Sequence, residues 1–143
     1  MPVSLKLECL QLTGSFKIRG AYFAVSRLSA EERSAGVVTC SAGNHGKAVA
    51  YVARELGIPA EVHVPRSVDE SKVHGILALG AKVVRSDFDG FDETDRVAYA
   101  EAARTSRCFL TPFDNNVMLA ANGGTLAAEI LEDDSAARRF LLP

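Results

Sequence analysis

The sequence has no excess of one charge, no long apolar run and no basic leader segment. Lysine and arginine number 16 and aspartate and glutamate 18, which leaves a formal net charge of −2. This balance gives no electrostatic reason to expect nucleic acid or an anionic membrane as a partner. No apolar stretch approaches the length needed to cross a bilayer. Residues 1–11 lack a basic segment followed by an apolar one, so we expect no secretory signal.

Cysteine is scarce, and its spacing suggests no pairing. The three cysteines, Cys9, Cys40 and Cys108, are far apart and form no CxxC pair. This arrangement favours neither a zinc site nor a disulfide framework. Cys40 and Cys108 lie in apolar, strand-like runs, where reduced thiols behave as small hydrophobic side chains. We therefore predict a reducing, cytoplasmic location.

Patterns for metal and nucleotide binding are missing as well. His63 falls in a strand pattern and His74 in a helix pattern, without the acidic or cysteine neighbours that a metal site requires. Five acidic residues between positions 87 and 95 suit the solvated start of a helix better than a calcium loop. No GxGxxG or P-loop spacing occurs, so a nucleotide-binding domain is the least favoured α/β alternative. We predict no metal site.

The sequence does have an ordinary globular balance and an alternation of strand and helix patterns. Its 143 residues are 48% apolar and 24% charged, which suits one domain with a buried core. Strand patterns at residues 3–8, 36–40, 60–64, 81–85 and 108–111 alternate with helix patterns that end near residues 28, 56, 79 and 106. This alternation predicts βαβ units. The expected fold is α/β, an open parallel three-layer (αβα) sheet of about four strands.

One lysine is distinguished by its neighbours. Lys17 lies between Phe16 and Ile18, and the glycines on either side leave room for a ligand to approach. Ser15 is the predicted N-cap of the helix that carries this lysine. Taken alone, a lysine near a helix start is usually a solvated surface residue. An apolar setting instead favours an amine that acts as a nucleophile.

The second candidate is the stretch Ser41-Ala42-Gly43-Asn44-His45-Gly46, which lies between a predicted strand and a predicted helix. Sheets of α/β proteins bind ligands at the carboxyl ends of their strands. The free N–H groups of a following helix favour an anion such as a substrate carboxylate. The structural alternative is a tight loop with Asn44 as the N-cap of the helix.

Together the two strings resemble the β-family (fold-type II) of pyridoxal-phosphate enzymes, the group that contains the threonine and serine dehydratases. The lysine string is Thr13-Gly14-Ser15-Phe16-Lys17-Ile18-Arg19-Gly20-Ala21. The resemblance implies pyridoxal 5'-phosphate as cofactor, with Lys17 as the Schiff-base residue and catalytic base. It further implies cofactor binding by Phe16, Lys17 and Asn44, and binding of the substrate carboxylate by Ser41, Gly43 and His45.

The chain departs from the family pattern at a few positions. Lys47 stands where glutamine is usual, and Ala42 replaces the serine that related racemases use as an acid. The second change favours elimination over racemisation. Residues 112–114 and 123–125 resemble the family's Pro-Phe-Asp and Gly-Gln-Gly-Thr stretches, but Asn122 and Gly123 break the match. A loop followed by a helix over residues 125–131 accounts for this region, so we assign it no catalytic role.

The resemblance runs from Leu5 to Pro143 and covers only the middle of the family's length. It implies that residues 1–143 form a single domain, mostly the small domain of the family. Residues 1–20 and 118–143 resemble pieces of the large domain. Residues 139–143 resemble the strand before the family's tetraglycine phosphate loop, a loop that this sequence does not contain. The apolar residues 140–142 are expected to form an association surface.

The activity implied by the resemblance is that of a dehydratase (ammonia-lyase), which converts L-threonine or L-serine into a 2-oxo acid and ammonia. One alternative is a catalytically incomplete chain that needs a partner or has no enzymatic role. Another is a serine racemase-like or cysteine synthase-like enzyme, although His45 disfavours the synthase, which usually has threonine there. The expected partners are a small amino-acid substrate and further copies of the chain in a homo-oligomer.

Overall fold

The computed structural model describes residues 3–113 and 115–141 and centres on a parallel sheet. Its four strands lie in the order β3-β2-β1-β4, where β1 is Val37–Cys40, β2 is Ala60–Val64, β3 is Lys82–Arg85 and β4 is Cys108–Phe109. In β1, Val37 lies opposite Ala60 of β2 on one side and opposite Cys108 of β4 on the other. The predicted open α/β sheet of about four parallel strands is confirmed.

Helices connect the strands. They are α1 (Lys17–Ser26), α2 (Ala30–Ala35), α3 (Asn44–Glu55), α4 (Glu70–Leu77), α5 (Phe91–Arg104), α6 (Asn116–Leu119) and α7 (Thr125–Asp133). A π-type turn over Ala120–Gly124 joins α6 to α7, and a 3₁₀ turn covers Glu8–Leu10. Ser29 and Glu32 form a capping box before α2, as expected for a serine three residues before a glutamate. Within the described residues, no helix is both long and apolar enough to cross a membrane.

The sheet is covered on both faces, which gives the three layers. Val37 of β1 packs into a cluster with α1 and α3, whereas the next residue, Val38, packs against Ala102 of α5. Because successive strand residues point to opposite faces, α3 and α5 cover opposite sides of β1. α4 lies over β2 and contributes Val73 and Ile76 to a second cluster. The apolar runs at β1 and β2 are therefore strands buried between helices, whereas β3 and β4 at the edges of the sheet are less buried.

The predicted strand over residues 3–8 is wrong. Residues 3–7 pair with no other strand in the part of the chain that the structure describes. Lys6 instead reaches α7, where its Nζ lies 3.0 Å from a Glu129 carboxylate oxygen and 2.9 Å from one of Asp133. A strand needs a neighbour to receive its N–H and C=O groups, and an alternating pattern does not by itself supply one.

The C-terminal helical region begins earlier than predicted. The Asn115 side chain accepts hydrogen bonds from the Val117 and Met118 N–H groups at 2.9 and 3.1 Å and so caps α6. Thr125 lies within the continuing helix, where its hydroxyl donates to the Ala121 carbonyl at 2.6 Å, rather than near a cap. The strand predicted over residues 108–111 is shortened to β4, and residues 139–141 form no strand. Asp114 and residues 142 and 143 lie outside the described residues.

Candidate active site

Lys17 is the first residue of α1, and an aromatic ring flanks its amine. Lys17 Nζ lies 5.2 Å from the centre of the Phe16 ring, within cation–π range. Phe16 takes the N-cap position and offers no side-chain hydrogen bond, so the prediction of Ser15 as cap is wrong. The hydroxyls of Thr13 and Ser15 are buried without a hydrogen-bond partner. Since buried hydroxyls normally have partners, the loop before Lys17 carries unused hydrogen-bonding capacity.

Apolar packing fixes the helix that carries Lys17. Ile18, Ala21 and Val25 are buried, and their three- and four-residue spacing places them on one face of α1. They share a cluster with Val49 and Val52 of α3. α1 therefore lies against the helix that follows the second candidate stretch.

The chain turns sharply from β1 into α3. The Ser41 N–H still donates to the His63 carbonyl of the neighbouring strand at 3.0 Å. The Gly43 N–H donates to the Ser41 hydroxyl at 3.2 Å, and α3 begins at the next residue. Glycine is required at position 46, because a Cβ there would lie 2.6 Å from the Ser41 carbonyl oxygen. The stretch is thus a tight turn at the carboxyl end of an interior strand, as its position in the sequence indicates.

Asn44 is the first residue of α3 and not its cap. Gly43 occupies the cap position, and no side chain there closes the helix end. The structural alternative for Asn44 is therefore wrong. Its side chain is exposed at the start of the helix, where it is accessible to a ligand.

The His45 side chain is buried and tied to the end of β4. Its Nε2 donates to the Leu110 carbonyl at 3.2 Å, and the same carbonyl accepts the Thr39 hydroxyl at 2.6 Å. Burial lowers the pKa of His45 to about 4 despite the Leu110 hydrogen bond, and the positive charge of Lys17 contributes to the shift. The imidazole is therefore neutral at neutral pH.

Two polar residues near Lys17 had no role in the sequence analysis. The Arg19 guanidinium binds both carboxylate oxygens of Glu8, each at 2.9 Å, and both of Glu129 at 2.6 and 2.7 Å. These hydrogen bonds keep the pKa of Arg19 above its usual range. The Asn122 Oδ1 accepts the Gly20 N–H at 2.8 Å. Local spacing could not reveal these contacts, because Glu129 and Asn122 are 110 and 102 residues away from their partners.

The histidine assigned a structural role does have an acidic neighbour. His63 Nε2 lies 2.8 Å from a Glu61 carboxylate oxygen, and both side chains are buried, so the expectation that His63 lacks such a neighbour is wrong. The residues lie two apart in β2 and therefore on the same face of the sheet. Within residues 3–113 and 115–141, no group of three or more histidine, cysteine or acidic side chains is placed to hold a metal ion.

Comparison with known proteins places the chain among relatives of one kind. A family model described as "Pyridoxal-phosphate dependent enzyme" matches residues 1–139. The L-threonine ammonia-lyase of Thermotoga maritima is 45% identical over 131 residues, which cover 92% of this chain and 32% of the relative. The biosynthetic L-threonine dehydratase IlvA of Lactococcus lactis is 41% identical, with 90% of this chain and 31% of the relative covered. The chain thus spans about a third of the length of these curated relatives.

Solved structures of a threonine deaminase and of a serine racemase also match this chain. The processed form of threonine deaminase isoform 2 from Solanum lycopersicum matches with a TM-score of 0.83 and 35% identity, over 90% of this chain and 37% of that one. Maize serine racemase matches with a TM-score of 0.84 and 35% identity, over 92% of this chain and 39% of that one.

Proposed function

The chain belongs to the family of pyridoxal-phosphate dependent enzymes, and from this membership we propose that it is the lysine-bearing part of an L-threonine dehydratase. The reaction is elimination of water from L-threonine to give an imine, whose hydrolysis takes up water again and releases a 2-oxo acid and ammonia. One observation carries the proposal. Eight relatives that are named L-threonine ammonia-lyase or L-threonine dehydratase are 36–45% identical to this chain over at least 90% of its length.

The residues around Lys17 suit the cofactor of the family. The Phe16 ring beside the amine is 38% exposed and offers a flat surface to a second ring. Nothing lies within 4 Å of the point where a Cβ would stand on Gly43, so the turn after β1 leaves open space for a ligand. The unpartnered hydroxyls of Thr13 and Ser15 provide further hydrogen-bonding groups. In this proposal Lys17 holds pyridoxal phosphate, Phe16 packs against its ring and Asn44 binds its polar edge.

Lys17 has a second task in the proposed reaction. The bound cofactor supplies the electron sink for the substrate's α-carbon. The freed Lys17 amine is the base that takes the proton from that carbon. Ala42 provides no acid or base on the opposite face of the substrate. A base on one face alone favours elimination over racemisation.

The substrate carboxylate is assigned to the turn after β1. The Ser41 hydroxyl and the N–H groups of Gly43 and His45 are the proposed donors, since the first turn of a helix has N–H groups without intrahelical partners. The carboxylate would replace the bond that the Gly43 N–H makes to the Ser41 hydroxyl. His45 contributes its backbone in this arrangement, because its imidazole is bound to the Leu110 carbonyl. A neutral imidazole at this position adds no second positive charge next to Lys17.

We further propose that L-serine is a weaker substrate. It lacks the methyl group of L-threonine, and a hydrophobic contact with one such group discriminates by roughly 10- to 200-fold. The proposed location is a reducing cytoplasm, supported by free thiols at Cys9, which is exposed, and at Cys40, which is buried. Assembly into a homo-oligomer stays a prediction.

The proposed division of the chain also has support from contacts. Residues 1–20 and 118–143 are the segments that resemble pieces of the family's large domain. Lys6 and Arg19 of the first segment bind Glu129 and Asp133 of the second. These ion pairs support the proposal that the two segments belong to one unit, as a shared origin in the large domain would require.

The test is an assay of the 143-residue chain with pyridoxal phosphate, in which 2-oxo acid release is measured with L-threonine and with L-serine. We expect turnover with L-threonine to exceed that with L-serine and to fall at least about 1,000-fold in Lys17→Ala, which removes the base and the attachment point. Lys47→Ala is the matched lysine control and should retain most activity. Cofactor binding without turnover would favour the alternative of a chain that needs a partner. Absence of both would overturn the proposal.

A further inference from the structure

The first turn of α1 is closed only in part by residues of its own segment. Phe16 at the N-cap offers no side-chain hydrogen bond, and the Ser15 hydroxyl has no partner. The Phe16 carbonyl accepts the Arg19 N–H at 3.0 Å. The Gly20 N–H, which in a regular helix would bond to that carbonyl, donates instead to Asn122 Oδ1 at 2.8 Å. A residue from the far end of the chain thus completes the turn that begins with Lys17.

The contact between Asn122 and Gly20 is complementary in shape as well as in hydrogen bonding. Asn122 is buried, with 8% of its surface exposed. A Cβ on Gly20 would lie 2.7 Å from the Asn122 Cγ, so only glycine admits this side chain. Asn122 stands on the π-type turn between α6 and α7. Such turns widen a helix locally and redirect one side chain, and here the redirected side chain meets the helix that carries Lys17.

A second set of hydrogen bonds holds the same turn of α1. Arg19, between Lys17 and Gly20, forms its bidentate pair with Glu129 of α7. The Arg19 Nη1 also lies 3.3 Å from the Thr125 hydroxyl. The π-type turn and α7 therefore hold α1 through both a backbone N–H and a side chain, within three residues of the reactive amine.

We propose that Asn122 is a positioning residue for Lys17: by holding the Gly20 N–H, it fixes the first turn of α1 and with it the direction of the Lys17 side chain. The inference rests on the proposed role of Lys17. Loss of the Asn122 amide leaves a buried N–H without an acceptor and allows the first turn to shift. A shift of the reacting group by about 1 Å is enough to slow a positioned reaction strongly.

The experiment measures how fast pyridoxal phosphate and borohydride label Lys17 relative to the other lysines, by peptide mapping. Asn122→Ala removes the acceptor, and Asn122→Asp keeps an oxygen at the same place. Met118→Ala is the matched control, because Met118 is buried against α1 but does not bond to Gly20. We expect Asn122→Ala to slow Lys17 labelling about tenfold more than Met118→Ala does, and Asn122→Asp to restore most of the rate.

A second readout does not depend on the cofactor. Exchange of the Gly20 amide hydrogen should accelerate in Asn122→Ala and not in Met118→Ala. If Asn122→Ala is too unstable to study, the double variant Gly20→Ala/Asn122→Ala fills the vacated space with a helix-favouring methyl group. That double variant should fold and still label Lys17 slowly.

Two failures are distinguishable. Equal slowing of Lys17 labelling in Asn122→Ala and Met118→Ala would show that Asn122 supports the fold only, and would overturn the inference while the proposed function stands. Labelling of the unaltered chain that does not favour Lys17 would overturn the proposed function, and the inference with it.

Discussion

Two regions of this molecule treat buried oxygen atoms in opposite ways, although His63 Nδ1, beside the first of them, is also buried without a hydrogen-bond partner. At the Glu61 cluster, made of Glu61, His63, Lys82 and Arg107, the carboxylate receives hydrogen bonds from the other three side chains at 2.8–3.2 Å. Burial alone would raise the pKa of Glu61, but these bonds outweigh it and lower the pKa to about 2. The loop before Lys17 instead buries two hydroxyls that have no partner.

The difference separates a stabilising cluster from a binding site. A buried carboxylate with three donors is largely satisfied and has little capacity left for a ligand. Buried hydroxyls without partners cost free energy, and a ligand that bonds to them removes that cost. The contrast supports assigning the Glu61 cluster to the stability of the fold and the Lys17 region to function. Each prediction below tests one side of this contrast.

The largest effect is expected at the Glu61 cluster. Glu61→Ala leaves the buried His63 and the largely buried Arg107 without this acceptor, whereas Lys82 is 71% exposed and can turn to solvent. The change should lower the free energy of unfolding by about 3–5 kcal/mol. Urea denaturation measures this loss. Glu55→Ala, at an exposed glutamate paired with Arg54, is the matched control and should cost at most about 0.5 kcal/mol. Similar losses in the two variants would mean that the cluster contributes no more than a surface ion pair.

An acid-dependent loss of stability is expected from His45. Its pKa is lowered to about 4 in the folded state from an ordinary value of 6.5, so the unfolded chain binds the proton first as the pH falls. The stabilising contribution is complete above pH 6.5 and is lost down to about pH 4, which amounts to about 3 kcal/mol. The lowered pKa of Glu61 acts at more acidic pH, below its ordinary value of 4.5.

Denaturation at several pH values checks this expectation. In His45→Gln, the decline in unfolding free energy between pH 6.5 and pH 4.5 should be much shallower than in the unaltered chain. An unchanged slope in that variant would assign the acid sensitivity to other groups.

The smallest effect concerns two serines that differ in their hydrogen bonds, Ser29 on the surface and Ser15 buried. Ser29 accepts the Glu32 N–H in a capping box, so Ser29→Ala should cost about 1 kcal/mol. The Ser15 hydroxyl has no partner, so Ser15→Ala should leave the unfolding free energy within about 0.5 kcal/mol or raise it. Thermal unfolding and cofactor titration together check the pair. Ser15→Ala should weaken pyridoxal phosphate binding, whereas Ser29→Ala should not. Weaker pyridoxal phosphate binding in Ser29→Ala but not in Ser15→Ala would contradict the proposed difference between the two hydroxyls.

Sequence patterns predicted the secondary structure correctly where it depends on residues close together in the chain. The alternation of strands and helices predicted the parallel sheet. Local patterns failed at residues 3–8, because alternation says nothing about a neighbouring strand. They also placed the last helix too late, because the two glycines of the π-type turn resemble a loop.

At the candidate site, too, local patterns did not reveal contacts between residues that are distant in the chain. Lys17 and the turn after β1 are contiguous strings, and the resemblance of those strings to a family pointed to them. Glu129, which binds Arg19, and Asn122, which binds Gly20, lie more than 100 residues from those partners and became visible only in the fold. Asn122, a departure from the family pattern in the sequence, is the residue that contacts Gly20.

The most direct test of the account is borohydride trapping of the chain with pyridoxal phosphate, followed by mass mapping of the labelled lysines. The account requires Lys17 to carry most of the label at low cofactor concentration, and the label to be lost in Lys17→Ala and retained in Lys47→Ala. Label spread evenly over the surface lysines, with no preference for Lys17, would contradict it.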